Sequence, residues 1–179
     1  MASRFPHRRD PNAENRVSSF ELFYDLVFVF AITQTTHLLI EHLSWLGALQ
    51  SGMILLTVWW AWQYTTWVTN ELNPDAIPVR LVLVAIMLGS LLMSIAIPEA
   101  FGDKAVLFAL SYVFIQVGRH LFLTFIAADP HTVERSRSAH ILSWFSISAV
   151  FWIAGAFAGG DTQIFLWIIA LTIDSAGPI

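Results

Sequence analysis

Long apolar stretches separated by short polar connections make up almost the whole chain after residue 17. The first four stretches each hold about 20 residues or more, enough for a helix to cross a hydrocarbon core of about 30 Å. The fifth is shorter but uncharged, and the sixth is short and meets Asp174 and then Pro178. The stretches are Phe20–Ile40, Trp45–Val68, Val79–Ile97, Ala105–Ala128, Ile141–Ala158 and the segment from Gln163 onward. The pattern predicts an all-α polytopic membrane helix bundle with about six transmembrane helices in a domain of residues 18–179.

Turn-forming residues separate most of these stretches. Residues 70–74, 98–103 and 159–161 combine Asn, Pro, Gly and acidic residues in the manner of tight turns. We expect one longer loop, which opens at Asp129 and Pro130 and carries Glu134, Arg135 and Arg137. No connection is long enough to hold a soluble domain.

The basic residues predict the orientation of the bundle, because they are in excess in cytoplasmic loops. The polar segment Met1–Val17 carries four arginines, and Arg80, Arg135 and Arg137 lie on the same side of the predicted bundle. The opposite side has only Lys104, and the one arginine inside a span is left out. Residues 1–17 are therefore predicted to be a basic cytoplasmic segment. The first span is too long for a signal-peptide core and no small-residue cleavage site follows it, so we expect it to be a retained helix.

The amino-acid composition is typical of a protein embedded in a lipid bilayer. Hydrophobic residues make up 56% of the chain and charged residues 12%, and the mean hydropathy is +0.65. The net charge of -4 excludes a nucleic-acid binder that relies on a basic surface. The absence of cysteine excludes disulfides and cysteine-based sites. No phosphate-binding glycine loop, serine-hydrolase elbow or zinc-protease motif is present, so we predict no soluble-type catalytic centre, no cofactor and no metal site.

Two acidic residues lie near the start of the first span. Ser18 and Glu21 fit a capping box, and we favour that role for Glu21 over a catalytic one. Asp25 lies one turn deeper, about 9 Å past Ser19. A carboxylate at that depth costs about 2.5–3.5 kcal/mol unless it is paired or hydrated. Two interpretations stay open: a structural ion pair that locks two helices, or an ion or proton site.

Farther along the same helix, Gln34, His37 and Glu41 share one face in the outer half of the span. This face is nearly opposite Asp25. The His and the Glu suit a proton relay, but we prefer a hydrated outer vestibule. They are weak candidates for a metal site, because no third donor lies nearby in sequence.

The fourth span carries a polar stripe of Tyr112, Gln116 and Arg119, with His120 beside it. Arg119 lies about 12 Å from the helix end, so its guanidinium either snorkels to the interface or faces other helices. We favour the second interpretation because of the stripe. Asp25 and Arg119 are both predicted in the cytoplasmic half, and we expect them to form a buried ion pair.

Several runs resemble the signature motifs of the bacterial low temperature requirement protein A family. They are Glu21–Ala31, Trp59–Trp62, Ile97–Asp103, Gly118–Arg119 and Leu121–Phe122. The resemblance covers nearly the whole chain after Arg16 in order and spacing, although Tyr24 stands where the family pattern has Phe.

That resemblance implies a multi-pass bacterial protein of the plasma (inner) membrane, linked to growth at low temperature. Family members are longer, and their second apolar half carries a Gly-Glu-Ser motif that is absent here. The chain is thus similar to an N-terminal half, truncated at the C-terminus relative to the family domain. We expect its partners to be the lipid bilayer and either the missing C-terminal half or a second copy.

Two classes of function are consistent with the sequence. The leading hypothesis is a transporter or channel-like protein for a small ion or solute, with Asp25 and Arg119 in its polar interior. The alternative is a non-transport membrane protein, such as a stress-related scaffold or a lipid-handling enzyme, that supports growth in the cold. A flux assay distinguishes the two.

Overall fold

The computed structural model describes residues 19–71, 76–127 and 133–177, and it contains no strand within those ranges. A short 3₁₀ turn, Ile97–Glu99, follows the third helix, and a π-helical turn, Leu123–Ala127, follows the fourth. The six α-helices are α1 Ser19–Glu41, α2 Trp45–Glu71, α3 Ile77–Ala96, α4 Ala105–Phe122, α5 Val133–Ala158 and α6 Gly160–Ala176. The prediction of an all-α membrane bundle is confirmed. Residues 1–17 and the capping residue Ser18 lie outside the described residues.

The predicted loop after Asp129 is wrong for most of its length. Helix α5 begins at Val133, so Glu134, Arg135 and Arg137 lie in its first turns. Hydropathy indicates only which part of a helix lies in the hydrocarbon core. Glu, Arg and Ala have a high intrinsic helix propensity, so they can extend a helix outside that core. The helix therefore continues beyond its apolar part.

Four of the described helical segments are long and apolar enough to cross a membrane. They are Leu22–Glu41, Ile77–Glu99, Ala105–Ile126 and Arg135–Ala158. Helix α6 is shorter, with 17 residues, and α2 is more polar because threonines, glutamines and tryptophans interrupt its apolar sequence. Many large apolar side chains lie on the outside of the bundle, as lipid contact requires. The protein is therefore an integral membrane protein.

Helices that are consecutive in sequence pack against each other along one side of the molecule. The packed pairs are α3 with α4, α4 with α5, and α5 with α6. Helix α1 packs against α2 and α3, and α2 also contacts α4 and α6. Helix α4 thus contacts α2, α3 and α5, and side chains of α2, α4, α5 and α6 meet in the interior.

The close approach of α5 and α6 depends on glycine. A Cβ atom on Gly155 would lie 2.6 Å from Cδ1 of Trp167, a distance that carbon atoms do not tolerate. The connection between the two helices is equally tight, because Gly159 and Gly160 both have positive φ values, 67° and 54°. Trp167 can therefore lie flat against α5, and its indole N–H donates to the carbonyl of Trp152 at 3.0 Å.

The orientation in the membrane stays a prediction, which cysteine labelling tests. The chain has no cysteine, so a single cysteine at Gly102 or Gly160 should react in intact cells with a membrane-impermeant thiol reagent. Cysteine at Ser3 or Ser136 should react only after the cells are permeabilised. Labelling of Ser3 or Ser136 in intact cells would contradict a cytoplasmic N-terminus.

Candidate functional site

A buried arginine is fixed between α2 and α4. The side chain of Arg119 is 0% exposed. Its Nη1 donates to Thr65 Oγ1 at 2.8 Å and to the carbonyl of Ala61 at 3.4 Å, and its Nη2 donates to Gln116 Oε1. These acceptors fix the guanidinium in the interior, so Arg119 does not snorkel to the interface.

Hydrogen bonds continue from Gln116 to a buried carboxylate on α6. Gln116 Nε2 donates to Tyr112 Oη at 3.0 Å, and the Tyr112 hydroxyl donates to Asp174 Oδ2 at 2.9 Å. Tyr112, Gln116 and Arg119 follow one another at helical spacing on one face of α4. We call Arg119, Gln116, Tyr112 and Asp174 the polar chain. The structure thus brings together the three stripe residues that the sequence singled out.

The polar chain has a charged residue at each end and neutral residues between them. Asp174 is 1% exposed, as deeply buried as Arg119, and no ion pair joins the two. Arg119 Nε and Asp174 Oδ1 each have no hydrogen-bond partner among the described residues. Buried polar atoms are nearly always satisfied, so the arginine end retains a donor for a water or an anion, and the aspartate end retains an acceptor for a water, a cation or a proton.

Aromatic residues surround the arginine end. The Cζ atom of Arg119 lies 5.3 Å from the centre of the Tyr64 ring, a cation–π contact. His120 is buried and stacks on Phe145 at 5.3 Å, and both of its nitrogens lack a partner among the described residues. The π-helical turn Leu123–Ala127 follows directly, and such turns are frequent at functional sites.

The expected ion pair between Asp25 and Arg119 is not formed. Asp25 is exposed on α1, and its Oδ1 accepts a hydrogen bond from Trp62 Nε1 at 3.0 Å. The preceding residue, Tyr24, is the one that points inward, and its hydroxyl donates to the carbonyl of Ala61 at 3.3 Å. Successive residues differ by about 100° around a helix. The prediction matched the depths of the two charges but not their directions.

The other candidates on α1 lie apart from the polar chain. Gln34 is half-buried, and His37 and Glu41 are exposed. A cavity of about 480 Å³ opens near this end of α1, beside the turn between α3 and α4. Its lining includes Leu38, His42, Ser44, Gln50, Glu99 and Asp103. Among the described residues, no cluster of three His, Asp or Glu side chains is arranged to hold a metal ion.

Asp174 is the functional candidate that sequence reasoning missed. The sequence pattern indicates only the polar end of a short apolar stretch, whereas the structure places Asp174 inside α6 and in contact with α4 and α5. The available indication was an acidic residue within an apolar helix, the same rule that drew attention to Asp25.

Two double-mutant cycles test this arrangement. We expect Asp25→Asn and Arg119→Gln to have additive effects on the free energy of unfolding, within about 0.5 kcal/mol, because the two residues share no hydrogen-bond partner. Tyr112→Phe and Arg119→Gln should be coupled by at least about 0.5 kcal/mol, because Gln116 bonds to both. Unfolding in detergent micelles measures both cycles. A coupling for Asp25 and Arg119 larger than that for Tyr112 and Arg119 would restore the rejected ion pair.

Comparison with known proteins places these residues in a family context. A family model described as bacterial low temperature requirement A protein matches residues 16–179. A protein of Rhizobium meliloti (strain 1021), described as uncharacterized, is 36% identical over 180 aligned residues. That match covers 99% of this chain and 44% of the relative, so the chain spans less than half of the relative's length. No solved structure gives a significant match.

Proposed function

The chain belongs to the bacterial low temperature requirement A family, and we propose that it takes part in moving a small ion or solute across the membrane, as a transporter or a channel-like protein. In this proposal the protein lies in the plasma membrane of a bacterium, with its N-terminus in the cytoplasm. Its transport activity supports growth at low temperature. The remainder of a longer chain or a second copy completes the bundle.

One observation carries the proposal: a buried arginine and a buried carboxylate lie in one hydrogen-bonded chain without contacting each other. Burying each charge is costly, and well-packed apolar residues would stabilise the bundle at least as well. Ionisable residues inside membrane helices commonly mark the paths of substrates, ions and protons. The free atoms at Arg119 Nε and Asp174 Oδ1 are where such a species would bind.

The location of the chain also favours transport. It connects α4 with α6 and is anchored on α2 through Thr65 and Ala61, so its contacts span three helices. A solute that takes over one of these hydrogen bonds changes how the helices hold each other. A scaffold, one of the alternative functions, has no need of a charge pair held apart in this way.

The test is reconstitution of the protein, expressed from its complete reading frame, in liposomes. Gradients of protons, sodium, potassium and chloride are applied in turn, and the flux is followed with ion-sensitive dyes. We expect flux down at least one gradient, reduced at least about tenfold by Arg119→Gln, a loss that corresponds to about 1.4 kcal/mol in the transport barrier. Arg137→Gln, which changes an exposed arginine at the start of α5, is the matched control and should leave the flux unchanged.

The same assay can reject the proposal. An absence of flux under every gradient, together with an altered lipid composition in a strain that lacks the gene, would favour the lipid-handling alternative. An absence of flux with an unchanged lipid composition would favour the scaffold.

A further inference from the structure

We propose that Asp174 is a proton-binding site and that the proton is the coupling or transported ion of this protein. The inference rests on the transport function proposed above. It assigns a role to the carboxylate that ends the polar chain.

The two oxygens of the Asp174 carboxylate differ in their hydrogen bonding. Asp174 Oδ2 accepts two hydrogen bonds, from the Tyr112 hydroxyl at 2.9 Å and from Trp152 Nε1 at 3.0 Å. Asp174 Oδ1 has no hydrogen-bond partner among the described residues, although it is fully buried. One oxygen is thus held by α4 and α5, and the other is free to take a proton.

The charged and titratable groups that face Asp174 are few. On helix α4, Tyr112 bonds directly to Asp174, and Arg119 is linked to it through Gln116 and Tyr112. On α2, the nearby titratable group is Tyr64. Helix α5 presents only neutral groups, the indole of Trp152 and the hydroxyl of Ser148. Among the described residues, no Lys, Arg or His lies within ion-pair distance of the carboxylate. The negative charge is stabilised by neutral donors, which leaves it open to neutralisation by a proton.

The protonated form has an acceptor in reach. A proton from hydronium forms an O–H bond at Oδ1 and leaves a water molecule, and the carboxylate becomes a neutral carboxylic acid. Ser148, whose hydroxyl interacts with the carboxylate and donates to the carbonyl of Ala170 at 3.4 Å, is the acceptor that we assign to the new hydroxyl. On release, the proton returns to water and the carboxylate regains its charge.

Proton binding to Asp174 also changes the hydrogen bonds that join α6 to the neighbouring helices. Hydrogen bonds to a charged acceptor are about twice as strong as those to a neutral one. Neutralising Asp174 weakens the bonds from Tyr112 on α4 and Trp152 on α5 together. Proton uptake thus loosens the contact of α6 with α4 and α5, and Arg119 is then the one charged end of the polar chain. This is the change that couples a proton to the binding of another species at Arg119.

Infrared difference spectroscopy on the full-length protein in lipid tests the assignment. Spectra at low and high pH should differ by a carboxylic-acid C=O band from a buried group, which shifts in heavy water. Asp174→Asn should remove this band. Asp161→Asn, which changes the exposed acidic residue in the first turn of the same helix, should retain it and is the matched control.

Two further variants keep the test decisive if Asp174→Asn does not fold. Tyr112→Phe and Trp152→Phe retain the carboxyl group but each remove one donor to Oδ2, so both should shift the frequency of the band. The absence of a buried-acid band, its persistence in Asp174→Asn, or an unchanged frequency in both donor variants would each overturn the assignment. The spectrum is independent of transport: a band with these properties in a protein that shows no flux would leave proton binding intact and reject the transport function.

Discussion

Replacing Arg119 by methionine should abolish flux and lower the free energy of unfolding by about 3 kcal/mol, the cost of removing one member of a buried charged network. The variant leaves Thr65 Oγ1 and Gln116 Oε1 without their cationic donor and removes the only cation linked to Asp174 by the polar chain. Flux in liposomes and unfolding in detergent measure the two effects separately.

Arg119→Lys separates charge from geometry. A lysine carries one ammonium group in place of a planar fork, and it cannot reproduce the bonds of Nη1 and Nη2 to acceptors on two different helices. We expect this variant to recover part of the stability but little of the flux. Arg137→Lys, at an exposed position, should change neither quantity. Normal flux and stability in Arg119→Met would contradict a functional role for the polar chain.

Replacing Trp152 by alanine should lower the free energy of unfolding by about 4 kcal/mol, as expected for a large aromatic side chain removed from a core. The indole packs against Tyr112, Trp167 and Phe108, with ring centres 4.9, 5.0 and 6.2 Å away. It also donates to Asp174. The substitution therefore leaves a cavity and removes one of the two hydrogen bonds to the buried carboxylate.

Two further variants separate the contributions of packing and of the hydrogen bond to this loss of stability. Phe157→Ala on the same helix should cost less than about 0.5 kcal/mol, because Phe157 is 74% exposed. Trp152→Phe retains much of the packing and should cost mainly the hydrogen bond, at least about 1 kcal/mol. Unfolding experiments in one detergent compare all three variants. A loss below about 1 kcal/mol for Trp152→Ala would show that the interior around Asp174 is not a packed core.

The prediction of the helices followed from single-segment properties. Each long apolar stretch must satisfy its own backbone hydrogen bonds in lipid, so its length and composition are enough to identify it as a helix. Helices α1 to α3 accordingly begin and end within about three residues of their predicted bounds, a difference typical of helix assignment. Helix α4 begins at the predicted residue but ends at Phe122, six residues before the predicted end, and the π-helical turn Leu123–Ala127 covers most of the difference. The start of α5 was missed because polar residues with good helix propensity extend it beyond the membrane core.

Part of the candidate site was predictable for the same reason. Tyr112, Gln116 and Arg119 lie on one helix, and helical periodicity alone places them on one face. Their burial follows from the cost of exposing an arginine to lipid. The direction of this stripe toward other helices was thus predicted correctly, and the structure adds the hydrogen bonds that join its members.

The partners of that stripe were decided by the tertiary structure. The sequence by itself determined the fold class, the helices and the polar face of α4, because these depend on contacts between residues close in the chain. The choice of Asp174 rather than Asp25 as the buried acid, and the anchoring of Arg119 on Thr65, depend on how α1, α2 and α6 are rotated about their own axes relative to α4. That rotation is set by side-chain packing between helices, such as the contact of Trp167 on α6 with Gly155 on α5. The periodicity of a single helix does not determine such packing.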